Sequence, residues 1–100
     1  MNKRNFRTQM ARLVRSVRND IRPEYRANED DTVPGIQLTV GANRKGWSYQ
    51  TGDNSFTGGA YGYAAWAVVS VYSRSDSFEL ADSIISQLEE QGAFDKEQQS

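Results

Sequence analysis

The stretch from Gly46 to Trp66 constrains the fold more than any other part of this 100-residue chain. It contains six of the eleven aromatic residues, both tryptophans and five of the eight glycines. Its aromatic-rich ends favour β-strands, whereas residues 52–62 between them contain too many glycines for a regular helix or strand. We therefore expect two strands separated by a long loop, and loops of about a dozen residues without regular structure are often functional.

Strict alternation of apolar and polar residues predicts a first strand at residues 36–40. A hairpin loop is expected at residues 41–46, followed by a second, antiparallel strand at residues 47–51. With a third strand further along, the predicted sheet occupies residues 36–73 and includes the glycine-rich loop at 52–62.

The third strand is predicted at residues 66–72 and is apolar on both faces for most of its length. Such a strand is typically central in a sheet or covered on both sides. If helices cover only one face of the sheet, Trp66, Val68 and Tyr72 form an exposed apolar patch, and patches of this kind mark interaction sites.

A helix is predicted on each side of this sheet. Apolar residues at helical spacing indicate an amphipathic helix at residues 5–21, inside a basic segment that covers residues 1–22. Asn5 is its predicted N-cap, and Pro23 disfavours helical geometry in the residue before it.

The second helix is predicted at residues 76–91, with Asp76 as the N-cap and Gly92 at its end. Residues 93–100 are expected to be a frayed tail. The order is therefore αβββα, and its natural packing is an α+β domain with both helices on one face of a three-stranded antiparallel sheet. The predicted core comprises Leu13, Val17, Leu38, Val69, Ile84 and Leu88.

The net charge of -1 hides a division between a basic and an acidic part. Residues 1–26 carry eight basic and two acidic residues, whereas residues 27–100 carry four basic and eleven acidic ones. A stripe of arginines runs beside the apolar arc of the first helix. The stripe consists of Arg4, Arg7, Arg15, Arg18 and Arg22. These side chains either contact nucleic acid or neutralise the acidic second helix within the fold.

The chain contains neither cysteine nor histidine. Disulfides and thiolate metal sites are thereby excluded, and the commonest general base and zinc ligand are missing. Asp53 is the best-placed carboxylate, but no second acid accompanies it in its loop, so its expected role is to accept bonds from turn amides. We therefore predict a protein that is not an enzyme and has no catalytic residues, metal or cofactor.

The residues from Gly46 to Phe56, followed by Trp66, Ala67, Val68 and Val69, resemble small uncharacterised proteins of phages and mobile elements. In size and acidity the chain is also similar to phage-encoded inhibitors of host defence, such as anti-CRISPR proteins. The first resemblance implies a protein that docks on a host protein, and the second implies an inhibitor of host defence.

Trp and Tyr together with Gly, Ser and Asn form the typical composition of protein-binding loops. The predicted contact surface for a host protein consists of Asp53, Phe56, Tyr61, Tyr63, Trp66 and Tyr72. Core positions are the alternative for Trp47, Tyr49 and Trp66. Association of copies through the sheet face also stays open. No apolar run approaches the roughly 20 residues that span a bilayer, so a cytoplasmic protein without membrane contact is expected.

Overall fold

The computed structural model describes residues 2–21, 35–43, 45–52 and 65–94. Five elements follow one another along the chain. They are α1 (Lys3–Asn19), β1 (Ile36–Asn43), β2 (Gly46–Thr51), β3 (Ala65–Val71) and α2 (Ser77–Glu90). The predicted α+β fold with two helices and a three-stranded antiparallel sheet is confirmed.

Helix α1 begins earlier than the sequence pattern indicates. The side chain of Asn2 accepts hydrogen bonds from the backbone N–H groups of Arg4 and Asn5, at 2.8 and 3.2 Å. Asn2 is therefore the N-cap, and the prediction of Asn5 was wrong. The helix ends at Asn19, yet Ile21 beyond it is still buried.

Helix α2 has the predicted N-cap, because the Asp76 carboxylate accepts bonds from the N–H groups of Phe78 and Glu79 at 2.9 and 3.0 Å. At its other end Gly92 has a φ of 82°, a left-handed conformation that favours glycine. The N–H groups of Gly92 and Ala93 donate to the carbonyls of Glu89 and Leu88, both at 3.1 Å, which is the Schellman pattern.

This turn directs the chain back onto the protein, and it corrects the prediction of a tail that frays from residue 93. Ala93 and Phe94 are buried, and the Phe94 ring packs edge-on against Phe6 with 5.5 Å between centroids. The rest of the expected tail, residues 95–100, lies outside the described residues.

The strand order in the sheet is β2-β1-β3. Strand β1 extends beyond the predicted hairpin start, because residues 41–43 pair with residues 46–48 of β2. Strand β3 does not take the central position, one of the two that are typical of a strand apolar on both faces, because it pairs with β1 and lies at an edge of the described sheet.

The core lies between the helices and one face of the sheet. This face carries Leu38, Val40, Ala42, Ala65, Ala67, Val69 and Val71. All six predicted core residues belong to the buried cluster that the described residues form, so that prediction is confirmed. The other face of the sheet is not covered by either helix, and it positions the candidate site.

Candidate protein-interaction surface

The sheet face that points away from the helices is hereafter called the open face. Strand alternation assigns ten strand residues to it. They are Gln37, Thr39, Gly41, Asn43, Gly46, Ser48, Gln50, Trp66, Val68 and Ser70. None of the three strands contains a charged residue, although 25% of the whole chain is charged. The centres of protein interfaces are depleted of charged residues and enriched in aromatic ones.

Trp66 lies over Gly41, its cross-strand partner on the open face. A Cβ atom added to Gly41 would come within 2.6 Å of the indole Cζ3 atom and 2.8 Å of Cη2. Only glycine leaves room for the ring here, and the ring in turn covers the glycine backbone. Trp66 is thereby half-buried and held against the sheet.

The same arrangement recurs at the other end of β3. Gly35 lies one step beyond the pair that Ile36 forms with Val71, and so faces Tyr72. A Cβ atom at Gly35 would lie 2.8 Å from the Tyr72 Cδ1 atom and 2.5 Å from the Val71 carbonyl oxygen. Tyr72 is half-buried, and its backbone N–H donates to the Ser75 Oγ atom at 2.9 Å.

Val68 lies between these two aromatic residues and is 44% exposed. Its cross-strand partner on β1 is the half-buried Thr39. The structure therefore brings Trp66, Val68 and Tyr72 to one face, as the sequence predicted for a sheet covered on one side. Of the other predicted contact residues, Asp53, Phe56, Tyr61 and Tyr63 lie outside the described residues.

The two aromatic residues of β2 lie on the helix side of the sheet. Trp47 is half-buried, packs edge-on against Phe6 at 6.0 Å, and its Nε1–H donates to the Gln9 Oε1 atom at 3.0 Å. The core alternative thus fits Trp47, which packs against the buried cluster. It does not fit Tyr49, which is 48% exposed although its ring lies only 6.2 Å from that of Trp47.

The arginine stripe is directed largely at α2. The Arg7 guanidinium donates to both carboxylate oxygens of Asp82, at 2.7 and 3.3 Å, and Lys3 pairs with Glu89. The Arg18 Nη1 atom donates to the Ser75 carbonyl at 2.7 Å. Basic and acidic helices therefore lie side by side, as one of the two interpretations expected.

Two members of the stripe also lie near an aromatic ring. The guanidinium groups of Arg7 and Arg15 lie 4.6 and 5.8 Å from the centroid of the Phe78 ring, within the range of cation–π attraction. Arg4 is exposed, and Arg22 lies outside the described residues. The hydrogen bond from Arg7 lowers the pKa of Asp82 below its ordinary value and raises the pKa of Arg7.

Two glutamines of α2 close the outer edge of β3, a role that sequence reasoning missed. The Gln91 amide accepts from the Trp66 N–H at 2.8 Å and donates to the Trp66 carbonyl at 2.6 Å. The Gln87 amide makes the same pair of bonds with Val68, at 3.0 and 3.1 Å. Each side-chain amide thus replaces one peptide group of a neighbouring strand.

The spacing of the two elements explains why this arrangement fits. Four residues of a helix rise by about 6 Å. Two residues of a strand rise by about 6.7 Å, so side chains four apart on α2 can reach alternate residues of β3. The available signal was a glutamine pair at this spacing, Gln87 and Gln91, on a helix that follows a strand.

The opposite edge of the sheet, on β2, is different. Gly52 donates to the Gln37 carbonyl at 2.9 Å, and antiparallel alternation then directs the backbone groups of Gln50 and Ser48 to β1. Trp47, Tyr49 and Thr51 point their N–H and C=O groups away from β1. No hydrogen bond to these outward groups is found from any residue that the structure describes.

No family model matches the chain, and comparisons with curated proteins and with solved structures gave no match either. Within residues 2–21, 35–43, 45–52 and 65–94, neither helix combines the length and the apolar character needed to cross a membrane. The same residues include no cluster of three acidic side chains suited to a metal ion.

Proposed function

We propose that this chain is a non-enzymatic binding protein that docks on another protein through the open face. The observation that carries the proposal is the uncharged character of this face in a chain whose helices are densely charged. Phe56, Tyr61 and Tyr63 stay predicted parts of the same surface. The resemblance seen in the sequence suggests a host defence protein in the cytoplasm as the partner.

The packing of the aromatic residues supports this proposal. Trp66 and Tyr72 rest on Gly41 and Gly35, so their rings are already restricted before a partner arrives. Restricted aromatic rings lose little conformational entropy on binding and offer a large apolar area. Val68 adds exposed apolar surface between them. Burying an uncharged face also avoids the cost of removing charges from water.

Nucleic-acid binding through the arginine stripe has weaker support. Phosphate contacts need guanidinium groups that can leave their present partners, and Arg7 and Arg18 already donate to Asp82 and to the Ser75 carbonyl. A salt series with labelled single- and double-stranded oligonucleotides separates the two functions, because affinity that depends on phosphate contacts falls steeply as salt is raised.

The proposal is tested by placing one positive charge on the open face. The immobilised chain is exposed to lysate of the native host, the enriched protein is purified, and its affinity is measured by titration. Val68→Arg is expected to weaken binding at least about tenfold, because a charge would be buried without a counter-charge at an interface. The exposed position of Val68 should leave the melting temperature unchanged.

Ser86→Arg is the matched control, since it adds the same charge at an exposed position of α2 away from the sheet. This variant should bind as the unmodified chain does. Equal affinities for Val68→Arg and Ser86→Arg would contradict docking through the open face.

A further inference from the structure

The two edges of the sheet differ in a way that points to a second interaction surface. Exposed edge strands in natural proteins carry charges, prolines or bulges, or are covered, because their free peptide groups invite pairing with another chain. On β3 the glutamines of α2 provide such a cover. Strand β2 contains no charged residue and no proline, and its ladder with β1 runs unbroken from the Asn43–Gly46 pair to the Leu38–Thr51 pair.

We propose that β2 pairs antiparallel with β2 of a second copy of this chain, so that one continuous sheet crosses a two-fold axis. The axis passes through Tyr49, which faces Tyr49 of the partner subunit. Trp47 then faces Thr51 of the partner subunit, and Thr51 faces Trp47 of the partner subunit. This surface is separate from the open face and does not depend on the function proposed above.

The register follows from the direction of the backbone groups. Only Trp47, Tyr49 and Thr51 of β2 direct their N–H and C=O groups outward, and they are spaced two residues apart. Pairing centred on Tyr49 is the alignment in which all three residues of both copies exchange hydrogen bonds. An antiparallel shift by two residues leaves one of the three without a partner at each end of the ladder.

The side chains and charges also suit a second copy. Tyr49 is 48% exposed and lies beside the half-buried Trp47, so self-pairing would bring four aromatic rings onto one side of the joint sheet. The described charge nearest to β2 is Lys45 in the hairpin turn. In an antiparallel pair the two Lys45 side chains lie at opposite ends, so like charges do not meet.

Gln87 and Gln91 cover two of the three outward-facing residues of β3, Trp66 and Val68, which favours an association limited to two copies. A sheet with two open edges could add further chains without end, whereas among the described residues only β2 offers an edge without any cover. The interface is isologous, because the same three residues contribute from each copy. Association through the sheet face, which the sequence left open, is not required for it.

The test measures self-association of the full chain by sedimentation equilibrium up to about 1 mM, the concentration at which even weak pairing is populated. The unmodified chain is expected to reach twice its mass of 11.3 kDa. Tyr49→Lys and Tyr49→Glu should each raise the dissociation constant at least about tenfold, because the residue on the axis meets its own charge. An equimolar mixture of the two variants should restore the dimer, since Lys then faces Glu.

Backbone substitution provides an independent arm. Thr51→Pro removes an outward N–H without removing a bond to β1 and should weaken the dimer, whereas Thr51→Ala keeps that N–H and should not. Circular dichroism and melting curves confirm that each variant is folded. A monomeric unmodified chain, or a Tyr49→Lys variant that dimerises as tightly as it, would overturn the proposal. Failure of the mixture to pair would overturn the register.

Discussion

Gly41 decides how Trp66 sits on the open face. The backbone of Gly41 is not in a left-handed conformation, so the main-chain geometry by itself would allow an alanine at this position. What forbids a side chain is the indole ring, which would lie 2.6 Å from a new Cβ atom. The glycine is therefore required by the ring above it, and the sequence pattern of β1 alone could not reveal this requirement.

Replacing Gly41 with alanine is expected to destabilise the protein by about 1–3 kcal/mol, the usual cost of overpacking. The displaced Trp66 ring would lose its contact with the sheet, which outweighs the gain from restricting the unfolded chain. Urea unfolding measures the free energy of unfolding of each variant. Gly46→Ala is the control, since no atom lies within 4 Å of its added Cβ, and its stability should be unchanged or slightly higher. Equal stability of the two variants would show that the ring moves aside without cost.

Among the elements, the helices and the hairpin strands were predictable because their signals are local. Periodic apolar residues and the Asp76 cap define α2, and alternation defines β1. The position of β3 was not predictable in this way. Its two-sided apolar pattern suggested a strand that is central or covered on both sides, whereas Trp66 and Val68 lie on the open face of an edge strand. An outward apolar residue and one buried against a second layer look alike in a sequence.

The glutamine contacts between α2 and β3 can be tested by Gln91→Ala. Alanine has a higher helix propensity than glutamine, so any loss of stability reports the lost hydrogen bonds. We expect the free energy of unfolding to fall by about 1 kcal/mol. Amide hydrogen exchange at Trp66 should become faster, because its N–H would lose the Gln91 acceptor. Val68, which is held by Gln87, is the internal control. Unchanged exchange at Trp66 would mean that the contact does not persist in solution.

In the whole molecule, the basic part and the acidic part of the chain contact each other through two antiparallel helices, α1 and α2. The Lys3–Glu89 and Arg7–Asp82 pairs join the start of α1 to the body and end of α2. The opposite charge totals of residues 1–26 and 27–100 predicted that the two helices would lie side by side. They could not predict which arginines would take part, because that depends on the crossing of the two helices.

The Arg7–Asp82 pair predicts a pH dependence. Because the pKa of Asp82 is lowered in the folded protein, its contribution to stability is present above the ordinary pKa of 3.8 and is lost as the pH falls through the lowered value. Asp82→Asn should therefore be less stable than the unmodified chain at pH 7, by a small amount because the pair is exposed. The difference should vanish in strong acid.

Thermal unfolding at several pH values measures this effect. Glu90→Gln removes a carboxylate for which no ion pair is found among the described residues. It should not lower stability at pH 7, since a negative charge is unfavourable at a helix C-terminus. A pH-independent difference between Asp82→Asn and the unmodified chain would contradict a role for the ion pair.

The closure of β3 by Gln87 and Gln91 also has a consequence for the synthesis of the protein. Both glutamines follow β3 in the chain, and Phe94, which packs on Phe6 near the N-terminus, follows them. A growing chain that has produced β3 but not yet α2 therefore presents an uncovered strand edge and an incomplete core. Contacts between such distant residues form late and slowly. We therefore expect the ribosome-bound chain to be more prone to pair with a neighbouring nascent chain before α2 emerges than afterwards.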